Sequence, residues 1–230
     1  MRNRGCPIVW WAALLVATLP APDNASAQVI IYGGPAGGRS APGDSGALSG
    51  PSTRELHKRF DRAQKLLKEE NFAEASRLLQ TILDSDEDVF IKSDEQPELA
   101  EQSLKLKAHL LFAQMPAEGR AVYEQQQGPA ARRLLDDALK SHDVEGMALV
   151  ARRYFHTQAG LDAAYHVAAD NFDHGRPLLA AVGYERLLAA PGPAARFEPY
   201  LSIRCATSWM RAGLADKALE VLVGLHRRYA

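Results

Sequence analysis

The sequence predicts an all-α fold, a stack of helix pairs, and three observations predict it. Its apolar share is 47% of 230 residues, supplied mostly by 38 Ala and 29 Leu against 17 Val plus Ile. Ala and Leu lead the helix propensities, whereas β-branched residues favour strands, so an all-β fold or a parallel-sheet enzyme is disfavoured. From residue 52 onward, apolar residues recur at helical spacing. The helical stretches also come in twos, separated by short polar or Gly-containing breaks. With 27 Lys plus Arg against 28 Asp plus Glu, the formal net charge is -1. That leaves no general basic field to hold a nucleic acid.

The first 27 residues read as an address and not as part of the fold. Arg2 and Arg4 precede an uncharged run from Ile8 to Leu19, and Ala25-Ser26-Ala27 offers small residues for cleavage. This is the layout of a secretory signal peptide. Twelve residues at 1.5 Å each cover about 18 Å of a roughly 30 Å hydrocarbon core, too little for a membrane anchor. The expected location is therefore outside the cytoplasm, periplasmic or secreted in a bacterial envelope, with no membrane span after cleavage. Cleavage also removes Cys6 and leaves Cys205 as the one thiol, so packing and not a disulfide must stabilise the mature chain. Residues 28–51 read as a disordered linker, since fourteen of the twenty residues from Gly33 to Ser52 are Gly, Pro or Ser. Within it Gly43-Asp44-Ser45-Gly46 looks like a serine-protease motif, but no His lies between the cleavage site and Ser45 to activate the hydroxyl.

Residues 52–230 form the expected helical domain. Ser52 and Glu55 make a capping box, followed by Leu56, Phe60, Ala63, Leu66 and Leu67 on one face. After Glu69-Glu70-Asn71 a second helix carries Phe72, Ala75, Leu78, Leu79, Ile82 and Leu83. Further pairs are expected at Pro129–Lys140 with Val144–Phe155, Asp162–Phe172 with Leu178–Ala189, and Tyr200–Arg211 with Asp216–Arg228. Ala63 with Ala75, Ala168 with Ala180, and Ala206 with Ala218 place small residues where paired helices must approach. Large residues follow at Leu79 and Ile82, Tyr184 and Leu187, and Leu222 and Leu225. The last helix leaves Val221, Leu222 and Leu225 with no later helix to cover them.

Ala168…Ala180-Tyr184-Leu187 and Ala206…Ala218-Leu222-Leu225 resemble the small and large packing positions of the tetratricopeptide repeat, a helix–turn–helix unit of about 34 residues. The repeat's early Trp and its closing Pro are absent. The resemblance implies an α-solenoid whose first helices line a groove. On that register, Tyr165, Phe172, Asp173, Tyr200, Thr207 and Arg211 are candidate groove residues for a protein or peptide partner. The alternative is that the three aromatic residues pack between pairs. A second resemblance rests on the order of segments, including Tyr123-Glu124, Ala131-Arg132-Arg133-Leu134-Leu135 and Arg152-Arg153-Tyr154-Phe155-His156-Thr157. It is to the N-terminal helical region of exported bacterial proteins that continue into a pyrroloquinoline-quinone-type β-propeller. It implies a structural module whose partner is a missing C-terminal propeller, and it carries no quinone chemistry to this chain.

The sharpest chemical motif is Asp84-Ser85-Asp86-Glu87-Asp88-Val89-Phe90-Ile91-Lys92-Ser93-Asp94-Glu95. Asp84, Asp86, Asp88 and Glu95 match ligand spacing in a calcium loop, but Val89 stands where the loop needs Gly. A solvated acidic linker, with Phe90 and Ile91 tucked onto the helices, is the competing reading. The seven His are scattered at 57, 109, 142, 156, 166, 174 and 226, with no metal-ligand spacing. Arg152-Arg153 and Arg227-Arg228 read as cations complementing helix C-termini. Adjacent carboxylates such as Asp136-Asp137 point in different directions from one helix. No active site and no cofactor are expected. The expected function is an exported, non-catalytic scaffold for a protein or peptide; a structural module of a larger envelope protein and a cell-wall hydrolase are the alternatives. The hydrolase requires an isolated groove Glu of raised pKa, of which the sequence carries no sign.

Overall fold

A computed structural model describes residues 53–91, 102–190 and 193–229. The expected signal peptide, the linker, Ser52 of the first cap and Glu95 lie outside the described residues. The described residues are mostly helix: α1 (Thr53–Lys68), α2 (Phe72–Asp84), α3 (Leu104–Gln114), α4 (Ala117–Ser141), α5 (Val144–Arg153), α6 (Gln158–Asp173), α7 (Pro177–Leu188), α8 (Tyr200–Arg211) and α9 (Ala215–Tyr229). Before α8 the chain makes one short 3-10 turn at Pro193–Phe197. Among the described residues the one strand pairing is a two-residue ladder in which β1 (Phe90–Ile91) runs antiparallel to β2 (Gln102–Ser103).

The pairs α1/α2, α4/α5, α6/α7 and α8/α9 are joined by one recurring turn. Each places a residue in the left-handed region: Glu70 (φ 58°), His142 (54°), Gly175 (72°) and Gly213 (81°). Each then closes a bond from an N–H to the carbonyl five residues back: Asn71 to Leu66 (2.9 Å), Asp143 to Ala138 (2.9 Å), Arg176 to Asn171 (2.8 Å) and Leu214 to Trp209 (2.9 Å). This is the Schellman closure, which satisfies carbonyls left open at a helix end. The next helix is capped by the side chains of Asn71 and Asp143 in the first two turns, and begins with Pro177 in the third.

The small-residue pairs sit where the sequence expects them. Ala63, Ala75, Ala168, Ala180, Ala206 and Ala218 are all buried. A Cβ added at Gly183 would lie 3.0 Å from the Ala168 Cβ, so α6 and α7 touch almost backbone to backbone. From α5 onward each helix packs against the next in chain order. The core runs in three sections: Phe60, Leu79 and Phe112 anchor the first, Leu135 and Val150 the second, and Tyr184, Leu201 and Trp209 the third.

Two expectations are corrected, and one helix is added. A helix expected to begin at Pro129 instead runs unbroken from Ala117 to Ser141 with Pro129 inside it. Pro129 is exposed, so its ring faces water while Ala131 and Leu135 hold the helix to the core. Helix α3 went unread because Leu104, Ala108 and Phe112 make a narrow apolar stripe on a short segment that also presents Leu106 and Leu110 to solvent. Phe90 is 59% exposed and does not tuck onto the helices; Val89 takes the buried place, its carbonyl accepting from Leu104 N–H at 2.7 Å.

One buried amide joins three helices. The Tyr123 hydroxyl donates to Gln80 Oε1 (2.7 Å), while Gln80 Nε2 donates to Asp84 Oδ1 (2.8 Å) and to the Arg153 carbonyl (3.3 Å). Burial, with the charge of Asp84 behind it, pushes the Tyr123 phenol up, so it remains a donor across the accessible pH range.

The recurring turn yields a backbone test. Nothing lies within 4 Å of a Cβ added at Gly175 or Gly213, so Gly175→Ala and Gly213→Ala introduce only the cost of a left-handed Ala. Each is expected to lower unfolding free energy by about 1 kcal/mol in urea titration, with an unchanged m-value.

Candidate functional site

A cleft of about 870 Å³ opens between α3, the end of α5 and the end of α7. Its α3 wall follows from the helix repeat: with Leu104, Ala108 and Phe112 turned inward, Lys105, His109 and Ala113 form the next face, edged by Leu106 and Leu110. The opposite wall is Leu149, Arg152, Arg153, Phe155 and His156, and Arg186, Ala189 and Ala190 close the third side. A smaller cleft of about 470 Å³, which includes Arg120, Glu124 and Gln158, shares the Phe155, His156 and Ala190 wall.

The aromatic wall is built by contact. His109 Nδ1 and His156 Nε2 face each other at 3.2 Å, so one ring donates and the other accepts. His156 stacks on Phe112 (centroids 5.3 Å, 25° between planes), and Phe155 meets both imidazoles edge-on. The Arg186 guanidinium lies 3.9 Å over the Phe155 ring. Thr157, whose hydroxyl accepts from Gly160 N–H at 3.0 Å, starts α6 directly after this wall.

The charges are one-sided. Among the described residues, Asp86 is the one carboxylate lining the larger cleft; it pairs with Arg153 at 3.1 Å and is otherwise open to water. Lys105 Nζ donates to the Ser85 carbonyl at 2.6 Å. Among the described residues, no carboxylate comes within 4.0 Å of Arg152 or Arg186. Burial, then the charge of Arg186, pushes the His109 imidazole down to about 4, against a hydrogen bond to the Arg152 carbonyl that raises it. Burial, then His109 and Arg186, pushes His156 down to about 3. Both rings are therefore neutral near pH 7.

The residues singled out from sequence are placed as follows. Asp84 is held by Gln80, Asp86 by Arg153, and Asp88 by the Ser103 hydroxyl and the Lys105 N–H. The three acids thus turn to separate partners. Among the described residues, no group of three or more His, Cys, Asp or Glu could hold a metal ion. Of the six groove candidates, Phe172 and Arg211 are brought together, the guanidinium 4.5 Å over the ring. Tyr165 is half-buried and stacks on Phe197 at 5.0 Å. Asp173 and Thr207 are exposed, the Thr207 hydroxyl donating to the Ile203 carbonyl; Tyr200 is 71% exposed. None of the six lines either cleft described above. Cys205 is buried, and burial pushes its thiol up to about 12, which makes it a packing residue and not a nucleophile.

Sequence reasoning missed Lys105, His109, Arg152, His156 and Arg186 as a group. The two His are 47 positions apart and Arg186 is 30 beyond the second, and no local spacing reveals that α3, the turn after α5 and the end of α7 border one cleft. The one available signal was the cationic end of α5, which a helix-dipole account absorbs.

No protein-family model, curated protein or solved structure matches the chain. Among the described residues, no helix is long and apolar enough to cross a membrane.

The neutral histidines make acid a destabilising condition. Their folded pKa values lie below the unfolded value of 6.5, so the unfolded chain binds more protons as pH falls. Stability is complete above pH 6.5 and declines through pH 5 toward the folded values. Between pH 7 and pH 5 the loss is expected to be roughly 2 kcal/mol for each histidine, read as a fall in Tm. The double variant His109→Gln/His156→Gln should flatten that dependence, and an unchanged acid slope in it contradicts the assignment.

Proposed function

We propose that the chain is an exported, non-catalytic helical-repeat scaffold that binds a protein or peptide partner, and that an acidic segment of the partner lies in the basic cleft. The carrying observation is that Arg152 and Arg186 border an apolar-floored cleft while no described carboxylate neutralises them. Unpaired cations over apolar surface complement a segment that alternates acidic and apolar side chains. Leu106 and Leu110, about half exposed on the cleft edge, supply the apolar half of that match. The tetratricopeptide-like reading is supported by the recurring Schellman turn, whose left-handed residues His142, Gly175 and Gly213 follow one another at 33 and 38 residues. Export rests on the N-terminal sequence alone. The Phe172 and Arg211 face remains a second contact surface on the tetratricopeptide register.

A blocked peptide of alternating Glu and Leu serves as the probe. Charge reversal by Arg186→Glu is expected to weaken its binding by about tenfold, near 1.4 kcal/mol, with Tm within a few degrees of the parent. Equal binding by the parent and by Arg152→Glu/Arg186→Glu removes the cleft from the account.

A structural module within a larger envelope protein is favoured by one observation of its own. In α9 only Ala218 is buried, while Leu219, Leu222 and Val223 are exposed at 61%, 44% and 38%. Light scattering coupled to size exclusion over a tenfold concentration range separates the readings. A monomer throughout is expected for the free-standing scaffold, and concentration-dependent growth that Leu219→Lys/Val223→Lys abolishes supports a covered end face.

A further inference from the structure

The imidazole pair has a consequence for what the cleft binds, and it rests on the partner-binding reading above. Two half-buried rings face each other at 3.2 Å, packed on Phe112 and Phe155. The charged groups around them are cationic or already engaged. From α3 comes Lys105, held by the Ser85 carbonyl. From α5 come Arg152 and Arg153, the latter on Asp86. From α7 comes Arg186, lying on Phe155. From α4 come Arg120, donating to the Met115 carbonyl, and Glu124, whose carboxylate accepts from the Gln158 N–H at 2.9 Å. Among the described residues, no carboxylate lies within 4.0 Å of either imidazole.

We propose that His109, His156 and Arg186 form an anion-binding site in which one carboxylate of the partner segment is held, and that the carboxylate enters together with a proton taken up by the imidazole pair. In the empty cleft a proton on the pair would sit in poorly solvated surroundings beside Arg186, and both effects oppose it. A carboxylate brought against Arg186 and the imidazoles reverses the local sign. The added proton also supplies one more N–H donor, turning a neutral hydrogen bond to the ligand into a charge-assisted one. Linkage makes the effect reciprocal: whatever the carboxylate contributes to proton affinity, the proton contributes to carboxylate affinity. The limit for one proton is tenfold in affinity per pH unit. The same cleft therefore holds its partner weakly at neutral pH and more tightly in mild acid.

The test is calorimetric titration of the full chain with the blocked Glu/Leu peptide at pH 7.5 and pH 5.5. It is repeated at pH 6 in two amine buffers of different ionisation heat. A matched peptide carrying sulfonates in place of carboxylates removes titration of the ligand from the comparison. Affinity is expected to rise about threefold or more on acidification for both peptides, with the buffer difference reporting uptake of about half to one proton. His109→Gln and His156→Gln, each checked for native circular dichroism, should bind with the same affinity at both pH values and take up no proton. Two independent variants keep the result readable if one fails to fold. Peptide binding by the parent with no pH dependence and no proton uptake overturns this proposal while leaving the cleft reading intact. A pH slope retained in both variants overturns it as well. Absence of peptide binding by the parent at either pH overturns both readings.

Discussion

The Gln80 amide is the constraint from which the candidate site takes its shape. It sits 4% exposed in α2, a position where an unpaired polar group would cost a few kcal/mol. Its requirements are met from three directions: the Tyr123 hydroxyl on α4, the Asp84 carboxylate one turn along α2, and the Arg153 carbonyl at the end of α5. The bond to Arg153 reaches the last residue of α5, and the turn that follows places Phe155 and His156. Tyr123 in turn lies 4.3 Å from Phe112, on which His156 stacks. The same small network that ends α2 therefore fixes the wall against which α3 and α7 form the cleft.

Electrostatics follow from that geometry. Because the network consumes Asp84 and the Asp86 side chain turns to Arg153, these two acids are engaged by groups other than Arg152 and Arg186. Some charges elsewhere are paired across elements: Asp162 accepts from both Arg132 and Arg196, Asp170 from Arg176, and the mostly buried Glu198 from Arg228. Among the described residues Arg152 and Arg186 have no such partner, and together on the cleft they make a local surplus of positive charge. Exposed ion pairs contribute little each to stability, so their uneven distribution says more about where an anion is welcome than about how the fold is held.

The helix pairs were legible in the sequence because they rest on local rules. Glu69-Glu70-Asn71, Ser141-His142-Asp143, the Gly175 break and the Gly213 break each mark a turn, and all four close in the same way. The Ala pairs twelve residues apart predicted close helix approach because only a small side chain fits there, as Ala168 against Gly183 shows. Legibility failed where two rules compete. Pro129 looks like a helix start by its chemistry, yet it lies inside a 25-residue helix because packing of Ala131 and Leu135 outweighs one missing hydrogen bond.

What the sequence determined alone is what depends on neighbours within about a turn of helix: the helical class, the breaks, the inward-facing stripe of each strong helix, and the inert burial of Cys205. The site depends on residues that are far apart along the chain. His109, His156 and Arg186 meet because α3, the turn after α5 and the end of α7 border one cleft, and that arrangement is set by the sum of packing through the helices between them. That sum has no local signature in the chain. The histidines carried no metal spacing and Arg152 looked like a helix-end cation, so each residue was explained singly until the tertiary structure put them on one wall. Burial and a neighbouring guanidinium then turned two ordinary imidazoles into weak bases, a property that only their shared surroundings could confer.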